Sequence, residues 1–65
     1  MDDLDAFRAA QILIRQRDDP VMYAAGRVDD MIDAGDAKGE TAWKAILHAI
    51  QELQRTTPRE GEGVN

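Results

Sequence analysis

Few side chains in this sequence carry reactive chemistry, and their spacing decides whether they can act. The single histidine is His48. Lys44 and Glu52 stand four residues to either side of it, an ordinary helix-surface pairing. Acid–base catalysis would require a partner group fixed within hydrogen-bond reach of the imidazole. The chain contains no Ser and no Cys. Its threonines stand near a helix start (Thr41) or in the tail (Thr56, Thr57), so no nucleophile can be paired with a base. Gly35-Asp36-Ala37-Lys38-Gly39 has neither the phosphate-loop nor the dinucleotide spacing, and no strand precedes it. The acidic set Asp29, Asp30, Asp33 and Asp36 offers oxygen ligands suited to hard cations, but its spacing is not that of a helix–loop–helix calcium site. A solvated face, neutralised by Arg27 or by arginines of another helix, is the expected reading. No catalytic, cofactor-binding or metal-binding residue is assigned, no cofactor is expected, and the chain does not read as an enzyme.

Length and composition set the next bounds. Sixty-five residues make one small domain near the lower limit for folding without staples. Without Cys there is no disulfide or thiolate metal site to help, and since small secreted domains are disulfide-dense, the composition favours the cytoplasm. Conformational entropy nearly cancels what so small a core returns, so self-association is expected. The opening Met-Asp-Asp-Leu-Asp is acidic where a signal peptide is basic. No apolar run reaches the length of a membrane span. The net charge of −5 argues against direct nucleic-acid binding, which needs a basic face. It suits a chain that presents acid to a basic surface on a protein partner.

Helical periodicity organises the rest. The pattern predicts an all-α fold of three helices, at about 3–17, 20–34 and 36–55. Residues 1–55 form the single domain, and 56–65, rich in Gly, Glu and Pro, are a disordered tail. In the first helix Phe7, Ile14, Leu13, Ala6 and Ala10 cluster on one side. Acidic residues open this helix and Arg15 and Arg17 close it, as the helix dipole favours. Asp18-Asp19-Pro20 breaks it, with Asp19 as the next N-cap and Pro20 at the first helical position. The second helix groups Val21, Ala24, Ala25, Val28, Met31 and Ile32 within roughly 120° of arc. Gly35 ends it in a left-handed conformation, and so short a link predicts an antiparallel hairpin. In the third helix, capped by Asp36, Trp43, Ile46, Leu47, Ile50 and Leu53 share one stripe. Gly39 near its start costs roughly 0.5–1 kcal/mol relative to Ala, which close packing of another helix would explain. The expected core and structural positions are Phe7, Ile14, Val28, Ile32, Gly39, Trp43, Leu47 and Ile50.

Ile12, Met22 and Tyr23 fall off these stripes, on both sides of the break at Pro20. Either they fold over the helix corner or stand singly exposed, or they help form an oligomer or partner surface, which makes them the candidate interface residues.

Arg27, Asp29, Gly35-Asp36, Gly39, Trp43, Ile46, Ala49-Ile50 and Leu53, with Ala9-Ala10-Gln11-Ile12-Leu13-Ile14 before them, resemble a family of short, uncharacterised bacterial all-helical proteins. These carry a G-D-x-x-G-x-x-x-W-x-x-I-x-x-A-I-x-x-L segment, and the resemblance covers roughly residues 6–55. It implies a bacterial cytosolic protein and brings no activity, cofactor or catalytic residue with it. The expected function is association between proteins, foremost with a second copy of the chain as a homodimer. The alternative is an acidic inhibitor or antitoxin-like regulator that blocks a basic site on a partner. Neither a nucleic acid nor a membrane is an expected partner.

Overall fold

The computed structural model describes residues 3–56. Three α-helices make up nearly all of it: α1 (Asp3–Gln16), α2 (Pro20–Ala34) and α3 (Ala37–Thr56). Among the described residues there is no strand, and no helix is long and apolar enough to cross a membrane. Thr56, assigned to the tail from sequence, closes α3; the rest of that segment lies outside the described residues.

Local sequence explains each boundary. Arg17 leaves the helical conformation, although its amide still donates to the Leu13 carbonyl at 2.9 Å. The Asp19 carboxylate caps α2 by accepting from the Met22 amide at 3.0 Å. Pro20 follows at the first helical position, where its missing N–H leaves nothing unpaired. At the far end Gly35 adopts φ 70°, ψ 23°, a left-handed geometry costing other residues about 1–2 kcal/mol. Its amide donates to the Ile32 carbonyl at 3.1 Å, and the Asp36 amide donates to the Met31 carbonyl at 2.9 Å. These two bonds close the orphan carbonyls of a helix end.

Asp36 then serves the next helix. Its Oδ1 accepts from the Gly39 amide at 2.9 Å, and its carbonyl accepts from the Glu40 amide at 2.9 Å. One residue thus terminates α2 through its N–H and starts α3 through its side chain and carbonyl. With only Gly35 and Asp36 between them, α2 and α3 fold back as an antiparallel hairpin.

α1 lies on α3 and touches α2 only sparsely. The core where α3 meets the other two helices is built largely from alanine: Ala6, Ala10, Ala24 and Ala49 are buried, with Ile46 and Ile50. Among the described residues Ile50 is the only large side chain that is fully enclosed. Val28 and Pro20 are also buried on α2. Ile14, Trp43 and Leu47 are half-buried and pack against the central cluster.

Two expected core residues lie outside. Phe7 is 38% exposed and Ile32 51% exposed. The buried face of α1 is centred on Ala6 and Ala10, which leaves Phe7 at its edge. On α2 the buried face runs through Pro20, Ala24, Val28 and the half-buried Met31. That line is rotated by roughly 40° from the stripe of apolar residues. The rotation brings Tyr23 and Arg27 inward and leaves Ile32 on the far edge.

Gly39 has a specific reason to lack a side chain. A Cβ there would run into Met31 Sδ, and would meet Asp36 Oδ2 at 2.7 Å. The obstruction combines a neighbouring-helix side chain with the capping carboxylate; the expected close approach of helix backbones is not its cause. In an open helix Gly→Ala gains about 0.5–1 kcal/mol. Here losing the cap would cost about 1 kcal/mol, while the half-buried Met31 thioether, near the end of a flexible side chain, can swing aside. Gly39→Ala is therefore expected to leave the melting temperature unchanged or slightly lowered despite its better helix propensity. Asp36→Ala with Gly39→Ala should cost less than the sum of the two single changes, because the first removes part of the obstruction. A Gly39→Ala protein that melts above wild type would show that the space is not needed.

Candidate functional site

An open groove of about 410 Å³ runs between α1 and α3, lined by Ala6, Phe7, Ala45, His48, Ala49 and Glu52. It is the one place where the histidine, a carboxylate and an apolar wall come together. α3 supplies His48 and Glu52 one turn apart, and the partial exposure of Phe7 supplies the wall. Glu52 is engaged elsewhere, since Arg55 Nη2 reaches its Oε2 at 2.5 Å. His48 itself is exposed. Among the described residues no hydrogen bond holds its ring in place. The groove has an apolar side, with the imidazole of His48 and the carboxylate of Glu52 at its rim.

The remaining reactive groups are committed to backbone or surface. Thr41 Oγ1 donates to the Ala37 carbonyl at 3.0 Å. Arg27 Nη1 approaches Asp30 Oδ2 at 3.2 Å, and Lys44 Nζ approaches Glu40 Oε2 at 2.6 Å. Asp36 is the α3 cap, and Asp29 and Asp33 are exposed. Among the described residues no three carboxylate, imidazole or thiolate groups converge where a metal ion would sit.

The densest side-chain constellation is aromatic and cationic. Tyr23 of α2 meets Trp43 of α3 edge-to-face, with ring centroids 5.9 Å apart and planes at 77°. The Arg17 guanidinium carbon lies 3.6 Å from the Tyr23 ring centroid. The Arg27 guanidinium carbon lies 5.6 Å from that of Trp43. Tyr23, expected as an interface residue, is half-buried here. Ile12 and Met22 are exposed, at 53% and 67%. The signal for the Tyr23–Trp43 pair was present in the sequence as the only Tyr and only Trp, but their meeting depends on the rotation of α2.

This cluster holds elements together. Arg17 belongs to the joint between α1 and α2, so its stacking on Tyr23 fixes that corner, while the two rings join α2 to α3. Aromatic pairs of this geometry contribute about 0.5–1.5 kcal/mol. Exposed cation–π contacts contribute about 0.5–1 kcal/mol.

Comparison with protein-family models, with curated proteins and with solved structures finds no match for this chain.

Arg27 carries an internal tension. Its Nε is buried with no hydrogen-bond partner, while its side chain as a whole is 39% exposed at the Asp30 end. An orphaned buried donor costs about 1–3 kcal/mol. The exposed ion pair returns about 0–1 kcal/mol, and the stacking a similar amount. The gains and the cost nearly cancel. Arg27→Met keeps the apolar stem against Trp43 and removes the orphan, so thermal unfolding should show stability unchanged or slightly raised. A loss above about 2 kcal/mol would show that the guanidinium holds the hairpin together.

Proposed function

We propose that this chain is a small non-catalytic helical protein that acts through protein–protein association, as a homodimer in the bacterial cytoplasm. It is a further part of this reading that the chain belongs with the short bacterial helical proteins it resembles. One observation carries the reading: the enclosed core is mostly alanine, while Leu4, Phe7, Ile12, Met22 and Ile32 are exposed. A folded chain gains about 25 cal/mol for each Å² of apolar surface removed from water. Five large apolar side chains left at the surface of so small a domain represent burial that association can complete. The chain has no disulfide to make up the difference.

The second reading is an acidic inhibitor that blocks a basic protein surface. The exposed Asp29 and Asp33, which take part in no ion pair among the described residues, favour it. Sedimentation velocity on the full chain separates the two. The homodimer reading expects twice the 7.2 kDa chain mass at micromolar concentration. A monomer across the accessible concentration range overturns it, and capture of a basic protein by that monomer would establish the inhibitor.

A further inference from the structure

Leu4 and Phe7 stand one turn apart on α1 and are exposed at 62% and 38%. Residues three apart share a helix face, so Leu4 stands on the side of α1 where Phe7 walls the groove against α3. The apolar lining is otherwise made of methyl groups, from Ala6 on α1 and from Ala45 and Ala49 on α3. Phe7 borders this hollow without filling it, and about 410 Å³ stays open. A cavity of about 150 Å³ already holds a benzene ring, so the hollow has room for more than one large apolar side chain. Two apolar projections and an apolar hollow thus lie side by side on one face of the molecule.

The charge and the size of this face both suit burial. On α3 the carboxylate in the lining, Glu52, is matched by Arg55, and Lys44 beside it by Glu40. The outward side of α2 instead gathers the exposed Asp29, Asp30 and Asp33, whose enclosure would carry a large desolvation cost. α1 is 14 residues long, about 21 Å at a helical rise. Two helices side by side, each about 10–12 Å across, give the face an outline of roughly 420–500 Å². Side-chain relief adds to that area, and specific dimers at the small end bury about 600 Å² from each partner.

We infer that the face shared by α1 and α3 is where two copies of the chain meet, with Leu4 and Phe7 of each copy seated in the groove of the other, against Ala45 and Ala49. A two-fold contact requires a surface that is complementary to itself, because the same patch serves both subunits. This face meets that requirement: each copy offers its projections and receives its partner's at once. A partner of any other kind would have to bring its own projections and would leave Leu4 uncovered unless it also brought a hollow. This inference rests on the homodimer reading above and specifies its interface.

Leu4→Glu and His48→Glu test the contact from its two helices. Both positions are exposed. A glutamate suits the first turn of α1, and at position 48 it stands four residues from Lys44, so helical content by circular dichroism should be retained. Each variant is expected to dimerise at least tenfold more weakly than wild type in sedimentation velocity, because a carboxylate would be enclosed against alanine. Leu4→Ala, which removes a projection and adds no charge, should weaken the dimer by a smaller factor. Met22→Glu, on α2 and 67% exposed, should dimerise like wild type. Added sodium chloride should not dissociate the wild-type dimer, because the contact is apolar and screening acts on charges. Any of the Leu4 or His48 variants dimerising like wild type, Met22→Glu weakening the dimer as much as Leu4→Glu, or a dimer that salt dissociates would overturn this interface and leave the homodimer standing. A wild-type chain that is monomeric throughout overturns both and leaves the groove to another partner.

Discussion

Everything in this molecule depends on α3 offering its apolar side to two helices that scarcely touch each other. A three-helix protein with larger core residues would bring all three axes round a common centre. Here the side chains at the contacts are mainly methyl groups, from Ala6 and Ala10 on α1, Ala24 on α2 and Ala49 on α3. Methyl groups let helices approach closely but remove little surface from water. The stabilisation lost in the middle must be recovered at the edges. The edge of α2 and α3 recovers it through Tyr23 and Trp43, and the corner with α1 through Arg17 on Tyr23.

The hairpin is the tightest piece of local chemistry. Asp36 closes one helix with its amide and opens the next with its carboxylate, and Gly35 supplies the one positive φ among the described residues. Because the hairpin fixes which face of α2 meets α3, it also sets the rotation that admits Tyr23 and Arg27 and excludes Ile32.

This explains what was legible in the sequence. The helices, the caps at Asp19 and Asp36 and the glycine at the hairpin follow from residue types with strong local preferences, and the structure has them where those preferences put them. The burial of individual residues follows less directly. Apolar size singles out Phe7 and Ile32, but helix rotation is decided by small residues that permit contact, and alanine is a weak signal in a helical pattern. Tyr23 shows the same limit from the other side. It lies off the apolar stripe of α2, yet its meeting with Trp43 draws it half inside. At Gly39 the need for space was readable, whereas its origin in Met31 and the Asp36 carboxylate required coordinates.

The asymmetric attachment of α1 has a consequence for how the chain is made. α1 leaves the ribosome first, but the surface it covers lies on α3, with Ala6 and Ile46 in the same cluster. Some forty residues of sequence separate the two, which at about 5–20 residues per second is an interval of roughly 2–8 s. Throughout that time Leu13 and Ile14 lack the surface of α3 that completes the cluster they pack against. The hairpin of α2 and α3, closed by contacts between near neighbours, can assemble as soon as it emerges. The first of the three helices to be synthesised must thus wait for the third.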